Sequence, residues 1–536
     1  MNVGSDLTHA DLARLVTRSV DLIDRHQSPS GAYPASPTFS AYQGYAWLRD
    51  GAFIAEGMSR VADPAGPSAF HAWCARVVGA RAAQVTDLTN RASRGLPVTP
   101  ADMLPTRFTL DGSNGTDAWW DHQLDGYGTW LWSLHLHLNR HSTDIPGTHE
   151  AIRIATHYLT TFWHHPCYDW WEEHVDQRHV STLAAIHAGL RAAIALGALT
   201  RPLTEAAEEA IEGISTLVAK EGVVGSTTAP GSVAGQTTTP EGVTGQTMAP
   251  QGVTDQTTAP QGVTGQATAP QGVTDQTMAP RGVTDQTTAP QSVTGQATAP
   301  QGVTDQTTAP QGVTDQTTAP QGVTGQATAP QGVTDQTMAP EGVAGQATEK
   351  EGWVGGRTTM ARLPIRPATT AMTGAGGARG ETKGWVGGRT HLTKWLGTEA
   401  VDGSLLACVQ PFGLYPPDHP VAVGTVAAVE ESLVDGYGVY RYLEDTFYGG
   451  GRWVLLAGFL GLNHVAAGRT GAAMACLRWM AAQGDADGEL PEQVSDRLLA
   501  PGRRQEWVER WGPVASPLLW SHGMYLMLAD ELGVVA

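Results

Sequence analysis

Tyr168-Asp-Trp-Trp-Glu-Glu173 lies between two stretches of helical periodicity, 147 to 163 and 180 to 198, and packs two indoles and three carboxylates into one short junction. Outward from it the chain continues as helix after helix, with little of the strict alternation that strands need. The first helix carries Leu12, Leu15, Val16, Val20 and Ile23 on one face, with Thr8 and Asp11 as a capping pair at its start. Further helices are predicted near 50 to 62, 68 to 85, 125 to 141, 203 to 220, 402 to 411, 419 to 434, 452 to 467, 469 to 483 and 516 to 532. With the two that flank the opening segment this makes twelve, a number that suits six helical hairpins closed in a ring. An open helical solenoid gives the same count and the same apolar stripes, so periodicity alone leaves closure undecided.

The helical pattern is interrupted once. From Glu221 to about Ala347 the chain repeats every ten residues, as in Gln251-Gly-Val-Thr-Asp-Gln-Thr-Thr-Ala-Pro260. Each such repeat offers one Val and no aromatic side chain, too little apolar surface to offset about 1 to 2 kcal/mol per ordered backbone residue. An extended, mobile segment is predicted; a short-period β-solenoid is the competing reading, opposed by the proline in every repeat. Glu351-Gly-Trp-Val-Gly-Gly-Arg-Thr358 recurs as Lys383-Gly-Trp-Val-Gly-Gly-Arg-Thr390, which sets the insert at 222–383 between a first domain part, 1–221, and a second, 384–536. Splicing it out leaves about 374 of the 536 residues for one large domain, and removing it is expected to preserve the fold.

A net charge of -19 argues against a phosphate-tracking surface, so no nucleic-acid partner is expected. The first residues lack an apolar run after a basic start, and no stretch approaches the roughly 20 apolar residues of a membrane span. A soluble, cytoplasmic protein is expected. Cys74, Cys167, Cys408 and Cys476 stand far apart and read as buried thiols of a reducing compartment. His135, His137 and His141 do not form the His-Glu-x-x-His zinc pattern, and Gly374 to Gly380 lacks the spacing of a phosphate loop. No metal and no nucleotide cofactor is implied, and the oligomeric state is not set by the sequence.

The chain holds 17 Trp against 8 Phe, most of the Trp beside carboxylates in loops. A pyranose offers an apolar C–H face and a rim of hydroxyls, which indoles interleaved with Asp, Glu and Arg match. Besides the opening segment, such clusters are Tyr45-Ala-Trp-Leu-Arg-Asp-Gly-Ala-Phe53, Trp119-Trp-Asp-His-Gln-Leu-Asp-Gly-Tyr127, Arg441-Tyr-Leu-Glu-Asp-Thr-Phe-Tyr448, Leu490-Pro-Glu-Gln-Val494 and Pro517-Leu-Leu-Trp-Ser-His522. In order and spacing they resemble the catalytic domain of family-15 glycoside hydrolases, the group of glucoamylases, glucodextranases and some trehalases. The resemblance covers the chain outside the insert.

That resemblance implies an all-α (α/α)6 barrel with its active site in the loops at one end. It implies that Glu172 is the general acid and Glu492 the general base, with Glu489 a local rival for the second role. Glu173 would bind substrate beside the acid, Arg49 and Asp50 would grip the terminal sugar, and Arg441 would be a second sugar-binding arginine. Trp119 or Trp120, Trp171 and Trp520 would line the pocket, and Tyr45, Trp47 and Tyr448 join them as substrate-binding candidates. Phe447 departs from the family, which has Tyr after Glu-Asp-Thr. No segment corresponds to the family's N-terminal β-sandwich or starch-binding modules, so binding of raw starch is not expected.

Acetal cleavage with inversion needs two carboxyls roughly 6.5 to 9.5 Å apart, leaving space for the attacking water. Glu172 is expected to stay protonated through desolvation by Trp170 and Trp171 and repulsion from Glu173, and Glu492 to stay ionised. The activity expected is exo-hydrolysis of small α-glucosides, isomaltose, isomalto-oligosaccharides, maltose or short maltodextrins, with release of β-glucose. Trehalose hydrolysis, phosphorolysis and a non-catalytic sugar sensor are the alternatives.

Overall fold

The computed structural model describes residues 7–117, 119, 121–224 and 390–535, with the backbone of twelve short strands between Gln236 and Thr348. Before the insert run helices α1 His9–His26, α2 Leu48–Val61, α3 Ala65–Gly79, α4 Ala82–Ser93, α5 Asp125–His141, α6 Thr148–Phe162, α7 Val180–Ala195 and α8 Arg201–Glu221. After it come α9 Leu405–Val409, α10 Pro420–Leu433, α11 Val454–Ala466, α12 Thr470–Ala481, α13 Arg504–Trp511 and α14 Leu519–Glu531. Twelve correspond to those predicted, and Thr8 with Asp11 forms the expected capping box. The two additional helices escape periodicity because they bury so little. Only Val85, Leu88 and Thr89 of α4 are buried, and no residue of α13 is.

Ring closure is decided by packing. α2, α5, α7, α9, α11 and α14 each pack against the next, and α14 returns to α2. α1, α3, α6, α8, α10 and α12 flank this inner ring, which makes the fold the expected (α/α)6 barrel. The sequence separates the two layers: α11 begins Val454-Leu-Leu-Ala-Gly-Phe-Leu-Gly-Leu462, apolar all round as a helix enclosed by protein requires, whereas α1 keeps a single buried stripe. Glycines set how closely the inner helices approach. A Cβ on Gly189 of α7 would stand 2.5 Å from Gly128 Cα of α5, and one on Gly57 of α2 would stand 2.5 Å from the Gly523 carbonyl oxygen of α14. Any larger residue would push those backbones apart.

Short strands tie down the loops that enter the inner ring. Tyr45–Trp47, which leads into α2, pairs antiparallel with Arg107–Thr109. Val434–Asp435, Gly438–Tyr440, Arg452–Trp453 and Gln493–Val494 form a four-stranded antiparallel sheet beside the candidate residues Arg441 and Glu492. Val223–Val224 pairs antiparallel with His391–Leu392, so the chain leaves and re-enters the helical unit at neighbouring positions.

The chain divides into one compact unit of residues 1–226 with 382–536 and a second of 227–381. In the second unit three- to five-residue strands pair in parallel with the strand two repeats on, in two six-stranded sheets. The residues between those strands lie outside the described ones, and the expectation of an extended insert falls there. No described helix is long and apolar enough to cross a membrane.

Candidate active site

Each quoted segment sits where the chain passes from an outer helix into the start of an inner one. Arg49 and Asp50 open α2, Gln123 and Asp125 lie at the start of α5, Glu172 precedes α7, Arg441 precedes α11, and Trp520 opens α14. The positive ends of the inner helices therefore collect at one face of the barrel. A cavity of about 150 Å³ lies there. A single water needs about 10 to 15 Å³ on that scale, so the space suits one sugar ring with an attacking water. Glu172, Glu173, Glu492, Arg49, Asp50 and Arg441 all line it. So do Trp47, Trp119, Trp171 and Trp520, which leaves carboxylates set among indoles as the sequence suggested.

Glu172 sits on a left-handed backbone, φ +65°. Such a conformation costs a non-glycine residue about 1 to 3 kcal/mol and persists only where the surroundings fix it. Asp169 fixes it: its Oδ1 accepts the backbone N–H groups of Trp171 and Glu173, each at 2.9 Å, and its carbonyl accepts that of Glu172 at 3.0 Å. The Glu172 side chain is held as firmly. Trp47 donates its indole N–H to Oε1 at 2.9 Å, Gln123 donates its amide to the same oxygen at 3.3 Å, and Trp119 adds a further hydrogen bond. Burial raises its pKa, while these donors and Arg49 draw it back. The expected repulsion from Glu173 is not the main cause. The Glu173 carboxylate turns instead to Arg441, at 3.3 Å, and accepts the Tyr442 hydroxyl.

Glu492 is 1% exposed, with its backbone N–H on the Ala515 carbonyl at 2.9 Å. Tyr42 donates its hydroxyl to Oε1 at 3.0 Å, and Oε2 is buried without a partner. Burial pushes the carboxyl up to about 8, against the pull of the Tyr42 hydroxyl and Arg441. The expectation that Glu492 stays ionised is thereby corrected, since a single protein donor does not compensate for full desolvation. Glu489 stands outside the cavity in a loop whose N–H groups turn to Asp485.

Two buried arginines brace the walls. Arg49 Nη1 donates to Gln123 Oε1 at 2.6 Å and to Asp125 Oδ2 at 3.0 Å, and its Nε lies 3.5 Å from Asp50 Oδ2. Arg441 grips both oxygens of Asp445, at 2.8 and 2.5 Å. Burial raises Asp50 to about 7. Asp50 Oδ2, Arg49 Nε and the Trp520 indole N–H are buried without hydrogen-bond partners, as is Glu492 Oε2. Such groups are rare in folded chains, and their convergence on one cavity marks a place for a ligand rich in hydroxyls.

Three candidates stand elsewhere. Tyr45 lies one pleat further out than Trp47, where its hydroxyl donates to Asp117 at 2.6 Å and the Arg107 guanidinium covers its ring at 3.9 Å. Tyr448 is fully buried: its left-handed backbone, φ +50°, turns the ring away from the cavity, its hydroxyl donates to the Gly512 carbonyl, and Phe447 takes the lining position. Trp120 lies outside the described residues. Sequence reasoning missed Tyr42, which belongs to no cluster, and Trp507 and Trp511, which reach the cavity from α13. Gln123 and Asp125 lay within a quoted segment but carried no role there.

The profile of Glycosyl hydrolases family 15 matches residues 12–488, and the chain belongs to that family, as a glycoside hydrolase. The isomaltose glucohydrolase of Kribbella flavida (strain DSM 17836 / JCM 10339 / NBRC 14399) is 39% identical over 528 residues, 98% of this chain and 94% of that protein. A solved wild-type glycosidase is 38% identical, covers 98% of each chain and superimposes with a TM-score of 0.66. A glycosidase variant solved in complex with glucose shows the same figures, 38% identity, 98% of each chain and a TM-score of 0.66. A bacterial glucoamylase solved with acarbose shares the fold alone, at 14% identity and TM-score 0.53 over 97% of this chain and 56% of that one. Glu492 lies just beyond the matched family range, so its place in the site rests on the geometry above.

Proposed function

We propose that this protein is an inverting exo-α-glucosidase that removes glucose from the non-reducing end of isomaltose, short isomalto-oligosaccharides or maltodextrins and releases it as β-glucose. The observation that carries this reading is that Glu172 and Glu492, 320 residues apart in the chain, line one buried cavity with Arg49, Asp50 and Arg441. Glu172 protonates the leaving oxygen. Its Oε1 accepts two hydrogen bonds that fix the direction of the carboxyl. Glu492, oriented through Oε1 by Tyr42, presents Oε2 to a water on the opposite ring face and takes its proton as the C–O bond forms. The separation this requires is roughly 6.5 to 9.5 Å. The 39% identical relative that is named for isomaltose supports isomaltose as the preferred substrate. The four free, buried cysteines fit a cytoplasmic setting.

A panel of isomaltose, maltose and trehalose, with anomer-resolved NMR of the released glucose, tests this reading. Isomaltose should be cleaved fastest, with β-glucose appearing first and without phosphate. Initial α-glucose, turnover of trehalose alone, dependence on phosphate, or no turnover would each overturn it.

A further inference from the structure

Lys394 does not line the cavity, yet it is 5% exposed and surrounded by groups that do hold the acid turn. Its Nζ lies 3.2 Å from Asp402 Oδ2, 3.9 Å from Asp169 Oδ2 and 3.3 Å from the centre of the Tyr442 ring. Each of these three partners grips a neighbour of Glu172. Both oxygens of Asp402 accept the Trp171 indole N–H at 3.0 Å, Asp169 Oδ1 accepts the backbone N–H groups on either side of Glu172, and the Tyr442 hydroxyl donates to Glu173. The backbone is pinned as well: the Lys394 carbonyl accepts the Val180 N–H at 3.2 Å, at the first residue of α7.

We infer that Lys394 is a positioning residue for the general acid: its buried ammonium, acting through Asp402, Asp169 and Tyr442, holds the left-handed turn that aims Glu172. The inference rests on the reading of Glu172 as the acid. Its physical basis is charge. Asp169 and Asp402 are both buried, and without a cation two desolvated carboxylates would face each other. Asp169 would relieve this by taking up a proton, and a neutral carboxyl is a weaker acceptor than a carboxylate. Asp169 already stands at about 7 through burial, with Lys394 the leading influence that lowers it. Loss of the ammonium would thus slacken the clamp on Trp171 and Glu173, and Glu172 between them would lose its direction.

Comparison of two substrates separates positioning of the acid from general support of the fold. Isomaltose needs protonation of an alkoxide leaving group, whereas α-glucosyl fluoride expels fluoride with little help from an acid. Both still need the base and the sugar-binding wall. In the full-length chain, Glu172→Gln should lower turnover of isomaltose by about 100-fold or more and spare the fluoride. Lys394→Met should show the same split, with isomaltose turnover lower by about 10-fold or more, the fluoride nearly unchanged, and the far-UV spectrum intact. Should Lys394→Met fail to fold, Asp402→Asn carries the same comparison, because it keeps an acceptor for the Trp171 indole and removes the charge nearest Lys394. Equal losses on both substrates, or no loss on either, in the folded variant would overturn the proposal. Equal losses in Glu172→Gln would instead overturn the assignment of Glu172, and this proposal with it.

Discussion

Glu172 and Glu492 face one cavity but are held in different ways. Glu172 is fixed on all sides, by a strained turn, by donors from Trp47, Gln123 and Trp119, and by the Lys394 cluster behind it. Glu492 is fixed through one oxygen, by Tyr42, and keeps the other unpartnered. The difference fits the proposed roles of the two groups. An acid must send its proton to one atom of a bound sugar, so rotation of its carboxyl wastes the alignment. A base takes its proton from a water that arrives separately, so it needs an oxygen the protein has not claimed.

Glu492→Gln should cause the greatest loss. Both isomaltose and α-glucosyl fluoride need an activated water, so turnover of both should fall by about 100-fold to 10,000-fold. Survival of phosphate-independent hydrolysis would remove Glu492 from the mechanism. This contrasts with the split expected for Glu172→Gln, and the two patterns together identify which carboxyl does which task.

Two milder substitutions should move opposite limbs of the pH profile. On the proposed roles activity needs Glu492 ionised, so kcat/KM should fall as pH drops through its pKa, which burial pushes up to about 8. That limb should lie well above the usual glutamate value of about 4.3. The Tyr42 hydroxyl lowers this pKa, so Tyr42→Phe should carry the acidic limb to still higher pH and cost about 10-fold in kcat. The same roles need Glu172 protonated, so kcat/KM should fall as pH rises through its raised pKa. The Trp47 indole lowers that pKa, so Trp47→Phe should carry the basic limb upward with a loss of about 10-fold. Movement of the basic limb by Tyr42→Phe and of the acidic limb by Trp47→Phe, followed as kcat/KM on isomaltose across pH, would mean that the acid and base roles are exchanged.

How much of this was legible in the sequence depended on how each residue signals itself. The barrel's helices were visible because a dozen or more residues carry each apolar stripe, all but the five-residue α9. Closure of the ring was not, because the Gly128–Gly189 and Gly57–Gly523 crossings are contacts between distant helices with no periodic trace. Glu172, Arg49 and Arg441 stood out through their clusters. Tyr42 is an isolated tyrosine whose role comes only from the fold bringing it to Glu492, 450 positions away. Tyr45 and Tyr448 misled for the converse reason, since a cluster names residue types but not which way each ring turns. No residue of α13 is fully buried, and so its tryptophans had no stripe to announce them.

Loss of the insert should matter least, unless the cut reaches the chain that returns from it to the acid side. Deleting Thr227 to Glu381, the whole second unit, keeps the pairing of Val223–Val224 with His391–Leu392. Each halving of a connecting loop changes closure entropy by only about 0.6 kcal/mol, so turnover of both substrates should stay within about twofold. The wider deletion of 222 to 383, set by the sequence repeats alone, goes further. It removes Gly222, whose N–H caps α8 and whose carbonyl accepts the Thr393 N–H at 3.0 Å, together with both strand residues paired to His391 and Leu392. Lys394 follows directly, so this cut should impair isomaltose more than α-glucosyl fluoride. Equal behaviour of the two deletions on both substrates would show that the strand pair does not support the acid turn.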